Sequence, residues 1–241
     1  NLSSHIVGLF LIALFTTSAT SAVQTNSPLQ EKVVDLSPRK VDDFEYLDTD
    51  SEGARLDAFA IELGKEPQSR GYIISYNQRD IPPGRFLRRI YGDKHYLVNY
   101  RGIEPNRLVV VNGGYREKFR TELWLVPNGA SPPKPTPTIF DVPDKIPLKF
   151  DGDCLLCAPA VDIDVGIFSE GLEYYGEALQ AKPSSRARII IFANRRREGT
   201  KLLALARNTL IRKFQVEPSR ITIVRSRRFD PDGIVEFWIV P

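Results

Sequence analysis

Glu122-Leu123-Trp124-Leu125-Val126-Pro127 and Glu236-Phe237-Trp238-Ile239-Val240-Pro241 are one phrase written twice, and they hold both tryptophans of the chain. Working back from each, the match continues. Ile103-Glu104-Pro105-Asn106-Arg107-Leu108 answers Val216-Glu217-Pro218-Ser219-Arg220-Ile221. The β-rich run Tyr72-Ile73-Ile74-Ser75-Tyr76 answers Ile189-Ile190-Ile191-Phe192-Ala193. Before those stand Pro67-Gln68-Ser69-Arg70 and Pro183-Ser184-Ser185-Arg186, and earlier still Glu52-Gly53 and Glu170-Gly171. Blocks matched in a single order mark an internal repeat, in which each copy is one structural unit.

Inside a copy the apolar period changes in a readable sequence. Leu56, Phe59, Ala60 and Leu63 recur at i, i+3, i+4 and i+7, one face of a helix stopped by Pro67. Leu172, Tyr175 and Leu179 do the same before Pro183. The β-branched runs that follow are strands. A second helix is clearest in the later copy, through Leu203, Ala206, Leu210 and Phe214. Strands at Leu108–Val111 and Ile221–Val224 come next, and then the tryptophan-bearing strand. With a short strand ahead of the first helix, each copy reads β-α-β-α-β-β. The fold class is α+β: two two-layer sandwich modules in tandem, helices on one face of a mixed sheet. Both tryptophans sit between aliphatic residues, so both final strands are expected to be largely covered.

Residues 1–22 read as a secretory signal peptide. The first 30 residues carry no Lys, Arg, Asp or Glu, and Ile6 to Phe15 form an apolar core followed by small residues, Thr16 to Ala22. That core is shorter than the roughly 20 residues a spanning helix needs. Residues 23–41 are a polar lead-in, 42–127 the first module and 151–241 the second. Between them, 128–150 contain Pro132-Pro133-Lys134-Pro135-Thr136-Pro137 and further prolines, the composition of a semi-rigid polyproline spacer.

The element order, with Tyr96-Leu97 ahead of Arg101-Gly102-Ile103-Glu104-Pro105-Asn106-Arg107 and with Val216-Glu217-Pro218-Ser219-Arg220-Ile221 in the later copy, resembles tandem, degenerate OmpA-like domains of exported bacterial proteins. The resemblance implies a periplasmic or secreted envelope protein that grips peptidoglycan without catalysis. It also implies a site: an Asp after the second strand and an Arg in the second helix hold the diaminopimelate of the peptide stem. A zwitterionic amino-acid centre needs one anion and one cation at fixed separation. Asp80, in Gln78-Arg79-Asp80, and Arg89 stand at those positions, without the family's preceding His-Thr and with a shorter loop between them. In the later copy Arg196 replaces the Asp and Leu203 the Arg, so that copy should lack the pocket.

Charge is uneven. Residues 182–228 hold fourteen Lys and Arg against two acidic residues, in a chain whose net charge is +3. Arg195, Arg196, Arg197, Arg225, Arg227 and Arg228 are the candidate polyanion contacts, and exposed cations of this density concentrate polyanions. Export argues against nucleic acid, which leaves an acidic envelope polymer or another envelope protein as partner. A solvated cationic face without ligand is the competing reading. Catalytic signatures are missing: the sequence has no G-x-S-x-G, P-loop, G-x-G-x-x-G or H-E-x-x-H motif. Beyond the signal, His95 is the only histidine and lies within a helix. No cofactor or metal is called for. Cys154 and Cys157 form a lone C-x-x-C, which in an exported protein reads as a local disulfide or two spare thiols. Asp162 and Asp164 alternate along one strand face, as paired carboxylates, Ca²⁺ ligands or a solvent face.

Overall fold

A computed structural model describes residues 37–140, 147–154, 165–192, 196–226 and 234–241. The first half runs β1 (Arg39–Glu45), α1 (Thr49–Lys65), β2 (Ser69–Asn77), α2 (Pro83–Asn99), β3 (Leu108–Tyr115) and β4 (Arg120–Pro127). The second half runs β5 (Leu148–Cys154), α3 (Val165–Ala181), β6 (Arg186–Phe192), α4 (Arg196–Arg212), β7 (Ile221–Arg225) and β8 (Ile234–Val240). A single 3₁₀ turn precedes β3 (Pro105–Arg107) and β7 (Pro218–Arg220). The class is mixed α+β, with four helices and two four-stranded sheets among the described residues. The strand orders are β1-β4-β2-β3 and β5-β8-β6-β7, with a parallel β2–β3 and β6–β7 pair and antiparallel partners elsewhere. Trp124 lies opposite Tyr72 and Lys40, and Trp238 opposite Arg188 and Lys149. Each outer strand also carries its bulge at the same point, between Lys40 and Asp42 and between Lys149 and Asp151.

Local chemistry explains the ends of the elements. Asp48 caps α1 by accepting from the Ser51 amide (3.0 Å), with Asp50 and Glu52 in the positive first turn. Pro83 opens α2, where its missing N–H costs nothing. The repeated Glu-Pro-x-Arg is a clasp. Arg107 donates to the carbonyls of Leu63 (2.8 Å), Glu66 (2.9 Å) and Ser69 (3.0 Å), the open end of α1. Arg220 does the same for Leu179 (3.0 Å), Lys182 (3.1 Å) and Ser185 (2.8 Å) behind α3. Tyr96 and Arg101, the other residues of the motif, both reach Asp57 and tie α2 to α1.

Both cores sit between sheet and helices: Leu56, Phe59, Leu63, Ile73, Leu97, Leu123 and Leu125 in the first half, and Leu172, Tyr175, Leu179, Ile189, Ala206, Leu210 and Phe237 in the second. Leu123 and Leu125 face the helices, so Trp124 between them faces away. The same parity turns Trp238 outward. Both rings are half-buried, not enclosed, and each Nε1 donates to the glutamate two residues earlier, Glu122 (3.2 Å) and Glu236 (2.9 Å). Both final strands are largely covered, as expected, with no exposed residue in either; the tryptophan rings themselves stay half-buried because strand alternation turns them away from the helices.

The proline-rich stretch also differs from a spacer. After a turn at Gly129 it runs back across the outer face of the first sheet. The Thr136 amide donates to Tyr76 Oη (3.1 Å), Arg116 Nε to the Thr136 carbonyl (3.1 Å), and Ile139 bridges to Tyr115. Gly114, at φ +88°, lets the strap in: a Cβ there would come within 3.1 Å of Pro137. Structured chain also reaches past the expected boundaries, since β1 starts at Arg39 and β5 at Leu148.

Candidate functional site: a cleft between the β2 exit and the start of α2

The chain leaving β2 is pinned before it enters α2. Asn77 Nδ2 donates to the Ile81 carbonyl (3.1 Å), and its Oδ1 accepts from the Gln78 amide (2.9 Å). Gln78 Oε1 accepts from the Phe119 amide (2.9 Å), and its Nε2 donates to Asp80 Oδ1 (2.7 Å). Pro82 and Pro83 then fix the turn into the helix. The result is a cleft of about 380 Å³ lined by Tyr46, Asp80, Arg85, Phe86, Arg89 and Phe119, with Gln78, Ile81 and Pro82 at its edge. Asp80 and Arg89, read from sequence, both line it. Asp80 is exposed, held in place by Gln78.

Arg89 is a more constrained group than the resemblance implies. Its Nε and Nη2 form a two-pronged pair with Glu52 (3.1 and 2.8 Å), and Nη2 also donates to the Leu47 carbonyl (2.7 Å). Its guanidinium lies 4.1 Å from the Tyr46 ring centroid and 5.2 Å from that of Phe119. Glu52 and Asp93 are both buried around it, one cation for two carboxyls. Burial raises Glu52 above the ordinary carboxylate range, against the pull of Arg89. Asp93 is pushed up to about 8, first by burial and then by the charge of Glu52, with Arg89 offsetting part. Asp93 is therefore mainly protonated near neutrality, and Arg89 balances Glu52. The exposed cation left in the cleft is Arg85, one helical turn before Arg89.

Sequence reading missed Arg85, Glu52, Asp93 and the Tyr46–Phe119 pair, whose rings meet edge to face at 5.8 Å. Arg85 was findable, because i and i+4 share a helix face. Tyr46 directly follows β1 and Phe119 directly precedes β4, and only the pairing of those strands, Glu45 opposite Arg120, brings them together.

In the second half, Leu203 packs against the core, and no cation stands there in place of Arg89. Of the basic candidates, Arg225 is exposed at the end of β7, opposite Ile191, beside the end of β6 from which α4 leaves at Arg196. Arg195, Arg227 and Arg228 lie outside the described residues, as do the side chains of Arg196 and Arg197. So do the signal segment, Cys157, the side chain of Cys154, Asp162 and Asp164. His95 is exposed on α2, its ring 6.5 Å from that of Tyr100. No protein-family model, curated protein or solved structure matches the chain.

Proposed function

We propose that the chain is a non-enzymatic, exported envelope protein whose first half holds a peptidoglycan peptide stem in the cleft between β2 and α2. The twice-repeated order, with the last strand between the first two, supports reading both halves as OmpA-like modules. The observation that carries the functional reading is that Asp80, Arg85 and Arg89 line one cleft of about 380 Å³. A side-chain amine of the stem would meet the Asp80 carboxylate, and the neighbouring carboxylate would meet Arg85. Arg89, braced by Glu52, would shape the floor and offer Nη1, which none of its described bonds uses. Phe119 and Tyr46 would cover the aliphatic part of the ligand.

Purified sacculi provide the test. Asp80→Asn keeps the shape and the Gln78 contact but removes the charge. It should cut binding about tenfold or more, since a charge-assisted hydrogen bond contributes roughly 1.5–3 kcal/mol. Arg85→Ala should do likewise. Retention of both variants on sacculi at the level of the unsubstituted protein would overturn the assignment.

A further inference from the structure

The outer faces of the two sheets carry the same constellation but differ in what lies on them. In the first, Lys40 reaches Glu122 (3.1 Å) and Trp124 Nε1 donates to the same carboxylate. In the second, Lys149 reaches Glu236 (2.8 Å) and Trp238 Nε1 donates to it. Register places Ile74 and Tyr76 of β2 at the positions of Ile190 and Phe192 of β6. Ile74 and Tyr76 are wholly buried at 0% exposure, under a strap whose Thr136 binds Tyr76 and whose Pro132, Pro133 and Thr136 share a groove of about 470 Å³ with Trp124. Ile190 and Phe192 are only partly buried, and among the described residues the Trp238 ring stacks on no other ring and its Nε1 donates to Glu236. Tyr72 of the first face is replaced by Arg188, which with Arg186 stands exposed.

We infer that the outer face of the second sheet is a docking surface for an extended, proline-rich segment of a partner protein carrying an acidic residue. The first sheet supplies the template for the occupant. Its aromatic strip, Tyr76 and Trp124, receives the chain's own Pro132–Pro137, a segment already extended and so losing little entropy on binding. The second sheet offers the same strip as Phe192 and Trp238. Phe192 lacks the hydroxyl that fixes Thr136, so the anchoring polar contact must come from elsewhere. Arg186 and Arg188 provide it, and they select a carboxylate where the strap carries Lys134.

The experiment uses the full chain with Trp124→Phe, which leaves Trp238 as the only indole. Two nonapeptides are titrated in while its emission is read: one with the sequence of Ser131–Ile139, the other carrying Lys134→Glu. The glutamate peptide should change Trp238 emission saturably and bind about tenfold more tightly than the lysine peptide. Replacing its prolines by alanine should weaken it about tenfold. Arg188→Glu, an exposed change that leaves the fold alone, should erase the preference for the glutamate form. Absence of saturable binding by either peptide overturns the proposal, and so does equal binding of the alanine peptide. Concentration-dependent dimerisation abolished by Arg188→Glu also overturns it, by giving the face to a second copy of this chain.

Discussion

Arg89 shows how a residue in the right sequence position acquires a different job from its surroundings. Its guanidinium answers the resemblance in place, but the buried carboxyl of Glu52 takes two of its donors and two aromatic rings take its faces. The cost of that arrangement falls on Asp93. A carboxyl that titrates near 8 when folded and near 4 when unfolded binds its proton more tightly in the native state. Its stabilising contribution is therefore complete below about pH 4 and is lost as pH rises toward 8. The slope is up to about 1.4 kcal/mol per pH unit. Glu52, also raised by burial, adds the same sign, and Arg89 opposes both. Asp93→Asn should flatten this dependence and raise the urea midpoint at pH 8 relative to pH 5. An unchanged profile in that variant would show that Asp93 ionises freely in the fold.

Elements were legible where a period or a stop signal marked them. Leu56, Phe59, Ala60 and Leu63 announced α1, and Pro67 its end, because a buried helical face repeats every 3.6 residues and proline cannot continue it. The tryptophan strands were equally plain as strands, but aliphatic residues on both sides hid which face each ring takes. A strand covered on one side by helices and on the other by a strap has apolar residues at both parities. The strap was illegible for a related reason: proline composition reports extended backbone, not what that backbone lies against. Of the cleft, Asp80 and Arg89 were legible through the resemblance, whereas Tyr46 and Phe119 depended on strand pairing across the sheet. The Glu-Pro-x-Arg clasp makes an element-scale prediction. Arg220 closes three carbonyls beyond α3 through one planar fork, so Arg220→Ala should lower stability by about 2–3 kcal/mol in a urea titration. Lysine should restore less than half of that loss, since an ammonium cannot reproduce the forked geometry. Equal stability of the alanine form would mean that water satisfies those carbonyls as well.

At the scale of the molecule, the two halves belong to one compact unit from Leu36 to Pro241, and α2 is the element they share. One face of α2 lies on the first sheet, where Phe86 and Ile90 pack with Phe119. The other meets β5 and α3. Leu87 joins the second core, Tyr91 stacks on Tyr174 with centroids 5.4 Å apart, and Arg88 donates to Asp151 at 3.0 Å. Asp151 is 1% exposed, and it fits only because Gly84 faces it: a Cβ on Gly84 would lie 2.7 Å from that carboxylate. Arg88 and Arg89 are neighbours on the helix, one joined to the second half and the other lining the cleft, so the joint between the halves and the cleft wall share one element. Removing one member of a buried ion pair leaves the other charge desolvated and costs roughly 3–5 kcal/mol, more than an exposed pair could contribute. Single-tryptophan forms made with Trp124→Phe or Trp238→Phe report each half separately. With Arg88 and Asp151 intact, urea unfolding read at Trp124 and at Trp238 should share one midpoint. Arg88→Ala should lower both midpoints and pull them apart. Two separate midpoints in the chain with Arg88 intact would mean that the halves fold independently and that α2 does not couple them.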